Sequence, residues 1–178
     1  MVVTIVNQKG GVGKTTTSIN LAASIALKGR KTLLIDLDPQ GNSSLSFVER
    51  HEIVEHGGSI YQALVGERSI EDVAMDTAIE TLKLAPATIA LAKVESKLMG
   101  ELDAHFRLKD AVAPIVHEYD YIVIDTPPTL GMLTVNALVA SSHVLIPIQS
   151  SYFALEGTDD LLDTIEKVRA RPNPDLQI

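Results

Sequence analysis

The chain has 178 residues, 46% of them hydrophobic, a formal net charge of −8 and no cysteine. That length is one domain's worth with a sizeable core, and the missing cysteines exclude disulfides, cysteine-ligated zinc and iron–sulfur clusters. No apolar run reaches the ~18 residues of a membrane span, and a net negative charge argues against a wholesale nucleic-acid coat while leaving room for a local basic patch.

The chain opens on Val2-Val3-Thr4-Ile5-Val6, an apolar, β-branched run that reads as a buried strand rather than a signal peptide. A cytoplasmic location is expected. Next comes Asn7-Gln8-Lys9-Gly10-Gly11-Val12-Gly13-Lys14-Thr15-Thr16-Thr17. Ile19, Ala22, Ala23 and Ala26 then recur at helical spacing, and Gly29 supplies a stop. Strand, glycine loop and helix stand in the order a phosphate-binding loop requires. Glycines let successive backbone N–H groups converge, and the helix N-terminus adds the positive end of its dipole. Lys14 would reach the β- and γ-phosphates and the Thr15 hydroxyl would ligate Mg²⁺. The loop departs from Gly-x-x-x-x-Gly-Lys-Ser/Thr, because Gln8 stands at the first glycine position and an extra lysine, Lys9, stands at the entrance. The plainer alternative is an ordinary glycine turn with Lys9 solvated.

Lys31–Asp36 reads as a second strand that delivers Asp36-Leu37-Asp38-Pro39-Gln40-Gly41-Asn42 into a loop. Residues 43–75 carry short helical patterns and form the least regular region. A short strand is expected at Leu82–Pro86, with helices at Thr88–Met99 and Phe106–His117. Tyr121–Asp125 reads as a strand ending in an acid, followed by a helix over Leu130–Ala140, a strand at His143–Pro147 and a last helix at Leu155–Arg169. Asp175-Leu176-Gln177-Ile178 alternates like the opening of another strand. Continuously apolar strands alternating with helices predict an α/β fold, a mostly parallel twisted sheet covered by helices on both faces.

In open α/β sheets ligands bind beyond the carboxyl ends of the strands. Asp36, Asp38 and Asp125 all lie at or just past such ends. Asp125 fits a Walker B acid serving Mg²⁺; Asp38 and Asp36 are further candidates, with a capping or structural role as the alternative for each. His51, His56, His105, His117 and His143 are scattered without metal spacing.

The loop from Lys9 to Thr16 resembles the deviant Walker A motif of the ParA/MinD superfamily of P-loop NTPases, whose signature is the extra lysine. Asn7 to Thr17, Asp36 to Asn42 and Ile124-Asp125-Thr126-Pro127-Pro128 are similar to the ParA/Soj branch, and the likeness runs in order along the whole chain. The resemblance implies a Mg²⁺-dependent ATPase switch for plasmid or chromosome partitioning, associated with the nucleoid. It implies a homodimer with ATP sandwiched between subunits, non-specific DNA binding and stimulation by a ParB-type partner, with no membrane contact. By position, Lys9, Gly10, Gly11, Val12, Gly13, Lys14, Thr15 and Thr16 would bind the nucleotide. Thr15, Asp36 and Asp125 would serve the metal, and Lys9, Lys14 and Asp38 the hydrolysis. Within that scheme Lys9 crosses to the other subunit's phosphates, as an arginine finger does elsewhere, and Asp38 orients water. Thr126 to Met132 corresponds to the second switch. Family members are longer, so residues 1–178 are expected to be a single P-loop ATPase domain without its C-terminal strands and helices.

A MinD-like membrane-cycling ATPase is the alternative within the superfamily, and Pro39-Gln40-Gly41-Asn42 favours ParA. A nitrogenase-reductase-like protein would need cluster cysteines. A non-hydrolysing nucleotide scaffold would have no use for a water-orienting acid. Candidate DNA-facing residues are Lys28, Arg30, Lys31, Arg107, Lys109, Lys167, Arg169 and Arg171.

Overall fold

The computed structural model describes residues 1–149 and 158–178. Its sheet contains β1 (Val2–Ile5), β2 (Thr32–Asp36), β3 (Met75–Asp76), β4 (Leu82–Ala85), β5 (Tyr121–Asp125) and β6 (His143–Leu145) in the order β3-β4-β2-β5-β1-β6. Only β3 runs antiparallel, against β4. The strands expected between Val2 and Pro147 are all present, the one expected at Asp175–Ile178 is reduced to an isolated bridge, and β3 is one that the sequence did not suggest: two residues carry no readable alternation.

Because side chains alternate across a strand, each continuously apolar strand feeds two cores. Val3, Ile5, Leu34, Leu84 and Val123 pack against Ala22 and Ala26 of α1 (Lys14–Ala26) on one face. On the other, Leu33, Ile35, Ile122 and Ile124 meet Leu133 and Ala137 of the helix Met132–Ala140.

The region 43–75 holds three short helices, α2 (Arg50–His56), α3 (Ile60–Leu64) and α4 (Ile70–Val73). Each starts on a capping box, Glu49 with Glu52, Ser59 with Gln62 and Ser69 with Asp72, which satisfies the N–H groups that a short helix cannot bond internally. The helix expected at 88–99 is instead a 3₁₀ stretch, Ile89–Lys93, followed by α5 (Val94–Lys97). The tighter winding places Leu91 and Val94, three residues apart, both in the core. The helix expected at 106–117 is shortened to α6 (Arg107–Val112), two residues short of Pro114, which could not donate in a continuing helix. Met132–Ala140 is α7, and α8 is Thr158–Ala170; the start expected for that last helix, at 155–157, lies outside the described residues.

Beyond α8 the chain returns to the sheet. The Gln177 N–H donates to Ser142 O and the Val144 N–H to Gln177 O, a parallel bridge alongside β6. Leu176 is buried with Leu161, Ile165 and Val168. The alternation at 175–178 thus produces strand-like pairing.

Candidate functional site

The parallel register brings the chemistry to one end of the sheet. Ile5 stands opposite Asp125, and Asp125 opposite Asp36, so the glycine loop leaves β1 beside both acids. Gly11 (φ 75°) and Gly13 (φ 91°) adopt left-handed backbone, a conformation that other residues resist. Gly10 has no such φ, and a Cβ built there would meet nothing within 4 Å. Among the described residues, nothing near that position requires glycine there.

Gly13 is the N-cap of α1 and offers no side chain to its N–H groups, and the first turn carries no acid. The helix start therefore remains a donor surface for an anion. Gly10, Gly11, Gly13, Lys14, Thr15, Thr16, Asp38, Asn42 and Pro128 line a cleft of about 290 Å³ in front of it.

Lys14 is buried, and its ammonium donates to Lys9 O at 3.0 Å. Burial lowers its pKa, and the charges of Asp125 and Asp38 oppose that shift. The loop itself is braced by Asn7, whose Oδ1 accepts the Lys9 N–H at 2.9 Å and whose amide donates to Pro147 O at 2.9 Å. Gln149 donates to Gly11 O at 3.0 Å, and the Thr126 hydroxyl, just past β5, donates to Ile5 O at 2.8 Å.

Asp125 is fully buried. Its Oδ1 accepts from Ser18 Oγ at 2.9 Å, while Oδ2 has no hydrogen-bond partner among the described residues. Burial, then the neighbouring Asp36 charge, raises its pKa to about 6, against the pull of the Ser18, Thr15 and Ser43 hydroxyls. A buried carboxylate oxygen left without a donor suits a cation. Asp38, almost buried, accepts the Gln40 N–H on Oδ1 at 3.0 Å and lines the cleft. The Asp36 oxygens instead accept from Asp38 N–H and from Ser44, and burial raises its pKa.

The structure thus assembles Lys9 to Thr16 with Asp36, Asp38 and Asp125 at one end of the sheet. Sequence reasoning missed Ser18, Ser43 and Ser44. Ser18 was findable: it lies one helical turn after Lys14, on the face that meets Asp125. Ser43 is also fully buried, with its hydroxyl unpartnered among the described residues. Of the basic candidates, Arg30, Arg107, Lys167 and Arg169 are paired with Asp120, Glu101, Asp163 and Glu166.

A family model described as an AAA domain matches residues 1–178. Chromosome partitioning protein ParA of Myxococcus xanthus is 48% identical over 177 residues, which cover 99% of this chain and 62% of that protein. Sporulation initiation inhibitor protein Soj of Bacillus subtilis is 45% identical over 178 residues, covering 99% and 69%. The chain belongs to the ParA/Soj family. It spans about two thirds of the length of these relatives. Among solved structures, cobyrinic acid a,c-diamide synthase from Mycobacterium smegmatis with bound ADP and magnesium superposes with a TM-score of 0.92 at 38% identity, covering 99% of this chain and 71% of that one. A plasmid partition protein from Borrelia burgdorferi gives 0.87 at 32%, covering 99% and 76%. The P-loop architecture and its ParA/Soj form, expected from the lysine-rich glycine loop, are those of the family.

Proposed function

We propose that this chain binds ATP with Mg²⁺ in the glycine-loop cleft and hydrolyses it to ADP and phosphate, driving a partitioning cycle for plasmids or chromosomes. The observation that carries this reading is the juxtaposition of an open helix N-terminus, the buried ammonium of Lys14 and the unpartnered Oδ2 of Asp125. Together they form an anion site and a cation site side by side, as a metal–phosphate chain requires. The names of the relatives, and the ADP and magnesium in the M. smegmatis neighbour, support it.

Magnesium, when bound, neutralises charge on the reacting phosphates. Thr15 and Asp125 are the residues that would hold it. The N–H groups at the start of α1 take phosphate oxygens, and Lys14 exchanges the Lys9 carbonyl for them. Asp38, which lines the same cleft, orients the attacking water. Lys9 serves the phosphates of a second subunit, which makes the active form a homodimer enclosing ATP. That dimer retains non-specific DNA at the nucleoid in the cytoplasm and is released when a ParB-type partner stimulates hydrolysis.

Phosphate release from ATP, with and without Mg²⁺, DNA and a ParB-type protein, tests the reading. Mg²⁺-dependent release raised by DNA and partner together is expected. Release that requires a carboxylic acid acceptor and a nitrogen donor would favour the synthase chemistry named for the M. smegmatis neighbour, and ATP-dependent co-sedimentation with vesicles would favour a MinD-like cycle.

A further inference from the structure

Asp36 ends β2 with a fully buried carboxylate whose oxygens are both engaged. Oδ1 accepts the Asp38 N–H at 3.0 Å, and Oδ2 accepts the Ser44 N–H at 2.8 Å and the Ser44 hydroxyl at 2.7 Å. Ser44 Oγ in turn accepts the Ala87 N–H at 2.9 Å, just past β4. Both ends of the segment 38–44 are thereby drawn onto one side chain, and that side chain is tied through Ser44 to the neighbouring strand's exit. Between the two ties the segment folds on itself, with the Gln40 N–H on Asp38 Oδ1 and the Gly41 N–H on Asp38 O at 2.9 Å. Gly41, at φ 68°, lies close enough to Ala87 that an added Cβ would meet Ala87 O at 3.5 Å.

We propose that Asp36 and Ser44 form a clasp that sets the position of Asp38 in the cleft, and that Ser44 is a positioning residue for hydrolysis. The proposal rests on the ATPase reading above for its catalytic half. Neither clasp residue needs to touch nucleotide or metal: three donors already converge on Asp36, and recruiting it to a cation would strip away bonds made in a dry site. Ser44 is suited to the task because one hydroxyl both donates to Asp36 and accepts from Ala87. Removing that hydroxyl leaves the Ser44 N–H on Asp36, so the segment stays in place but loses its tie to β4. A small drift of Asp38 then suffices to slow the reaction, since misplacement of about 1 Å can cost on the order of a hundredfold in rate.

The test compares Ser44→Ala with Ser46→Ala, which removes an exposed hydroxyl from the same stretch, one that donates only to Asn42 O and never meets Asp36. Amide hydrogen exchange of residues 38–45 should quicken about tenfold in Ser44→Ala over any change in β2 and β5, as expected for lost buried hydrogen bonds. In the same variant kcat for ATP should fall between about tenfold and a hundredfold while the ATP Kd moves less than about threefold. Ser46→Ala should change neither. Exchange that rises uniformly through the sheet, or not at all at 38–45, overturns the clasp, whatever the activity. Localised quickening with unchanged kcat overturns the positioning role. If the parent protein hydrolyses no ATP under any condition, the ATPase reading and the catalytic half of the proposal fall together, and the exchange data still judge the clasp.

Discussion

Asp36 and Asp125 end adjacent parallel strands directly opposite one another, and neither side chain is exposed to solvent. Two carboxyl groups so placed, in a dry site, each resist ionisation because of burial, and each charge disfavours the other. The chain answers the two differently. Asp36 is surrounded by donors from Asp38 and Ser44, whereas Asp125 receives Ser18 on one oxygen and, among the described residues, nothing on the other. One carboxylate organises the protein and the other is left able to accept something more.

This asymmetry carries a pH dependence. With its folded pKa raised from 3.8 to about 6, Asp125 binds more protons in the folded than in the unfolded chain between those values. Its contribution to the stability of the nucleotide-free protein therefore falls as pH rises from about 4 to 6, then stays at a constant penalty of up to about 3 kcal/mol. Asp125→Asn, which keeps an acceptor for Ser18, should be more stable than the parent by up to that amount at pH 7.5, and the gain should disappear near pH 4. Urea denaturation of both proteins at several pH values checks this. A gain that is independent of pH would place its origin elsewhere.

Lys14→Ala should lower ATP affinity by at least about a hundredfold, since a charge-assisted contact to phosphate in a buried site is lost. The substitution also removes a buried ammonium and its hydrogen bond to Lys9 O, so the nucleotide-free protein should tolerate it well. Fluorescence titration with a nucleotide analogue reports the affinity, and a thermal melt reports the tolerance.

The sheet was legible because its central strands β1, β2 and β5 are apolar on both faces and end at a polar, glycine or proline break. The glycine loop was legible because Gly10 to Thr16 serves a backbone geometry that few other functions need. The region 43–75 was harder. Short helical patterns such as Ile60–Leu64 did mark helices there, but their bounds are set by capping boxes such as Ser59 with Gln62 rather than by a long periodicity. The role of Ser44 was hidden for another reason. A buried serine has no sequence signature, and its partner Ala87 is brought to it only by strand register.

Asp38→Ala should keep nucleotide affinity within a few fold and lose most hydrolysis, because the glycine loop and Lys14, which take the phosphates in the proposed scheme, are left intact. It also deletes the acceptor for the Gln40 N–H, and that bond is half-exposed and replaceable by water. With turnover blocked, the ATP-bound homodimer should accumulate and persist in light scattering for far longer than the parent's.

Asn136 offers a test of packing between α7 and α6. Buried in α7, it accepts the Leu108 N–H at 3.0 Å and donates to Ala104 O at 2.9 Å and to Met132 O at 3.0 Å, joining α7 to the start of α6. Asn136→Ala strands a buried N–H and a buried carbonyl and should destabilise the protein by about 2–4 kcal/mol. Chemical denaturation measures the loss, which should be unaffected by salt because no charge is involved.

Lys9→Ala separates the loop's architecture from its second cation. The hydrogen bonds that shape the loop use the main chain of residue 9: its N–H donates to Asn7 Oδ1 and its carbonyl accepts Lys14. Alanine leaves both groups in place, so the cleft should form and ATP should bind within a few fold of the parent. If the side chain serves the other subunit's phosphates, hydrolysis should nonetheless fall by on the order of 10³–10⁵, the range for a cation acting in trans on phosphoryl transfer. Mixing Lys9→Ala with Lys14→Ala sharpens the point. In a mixed dimer the Lys9→Ala subunit binds ATP through its own Lys14 and receives an intact Lys9 from the Lys14→Ala subunit. One working site is thus reassembled, and activity should return in proportion to the fraction of mixed dimers. Full activity of Lys9→Ala alone, or a mixture no more active than its components, would show that Lys9 does not act across the interface.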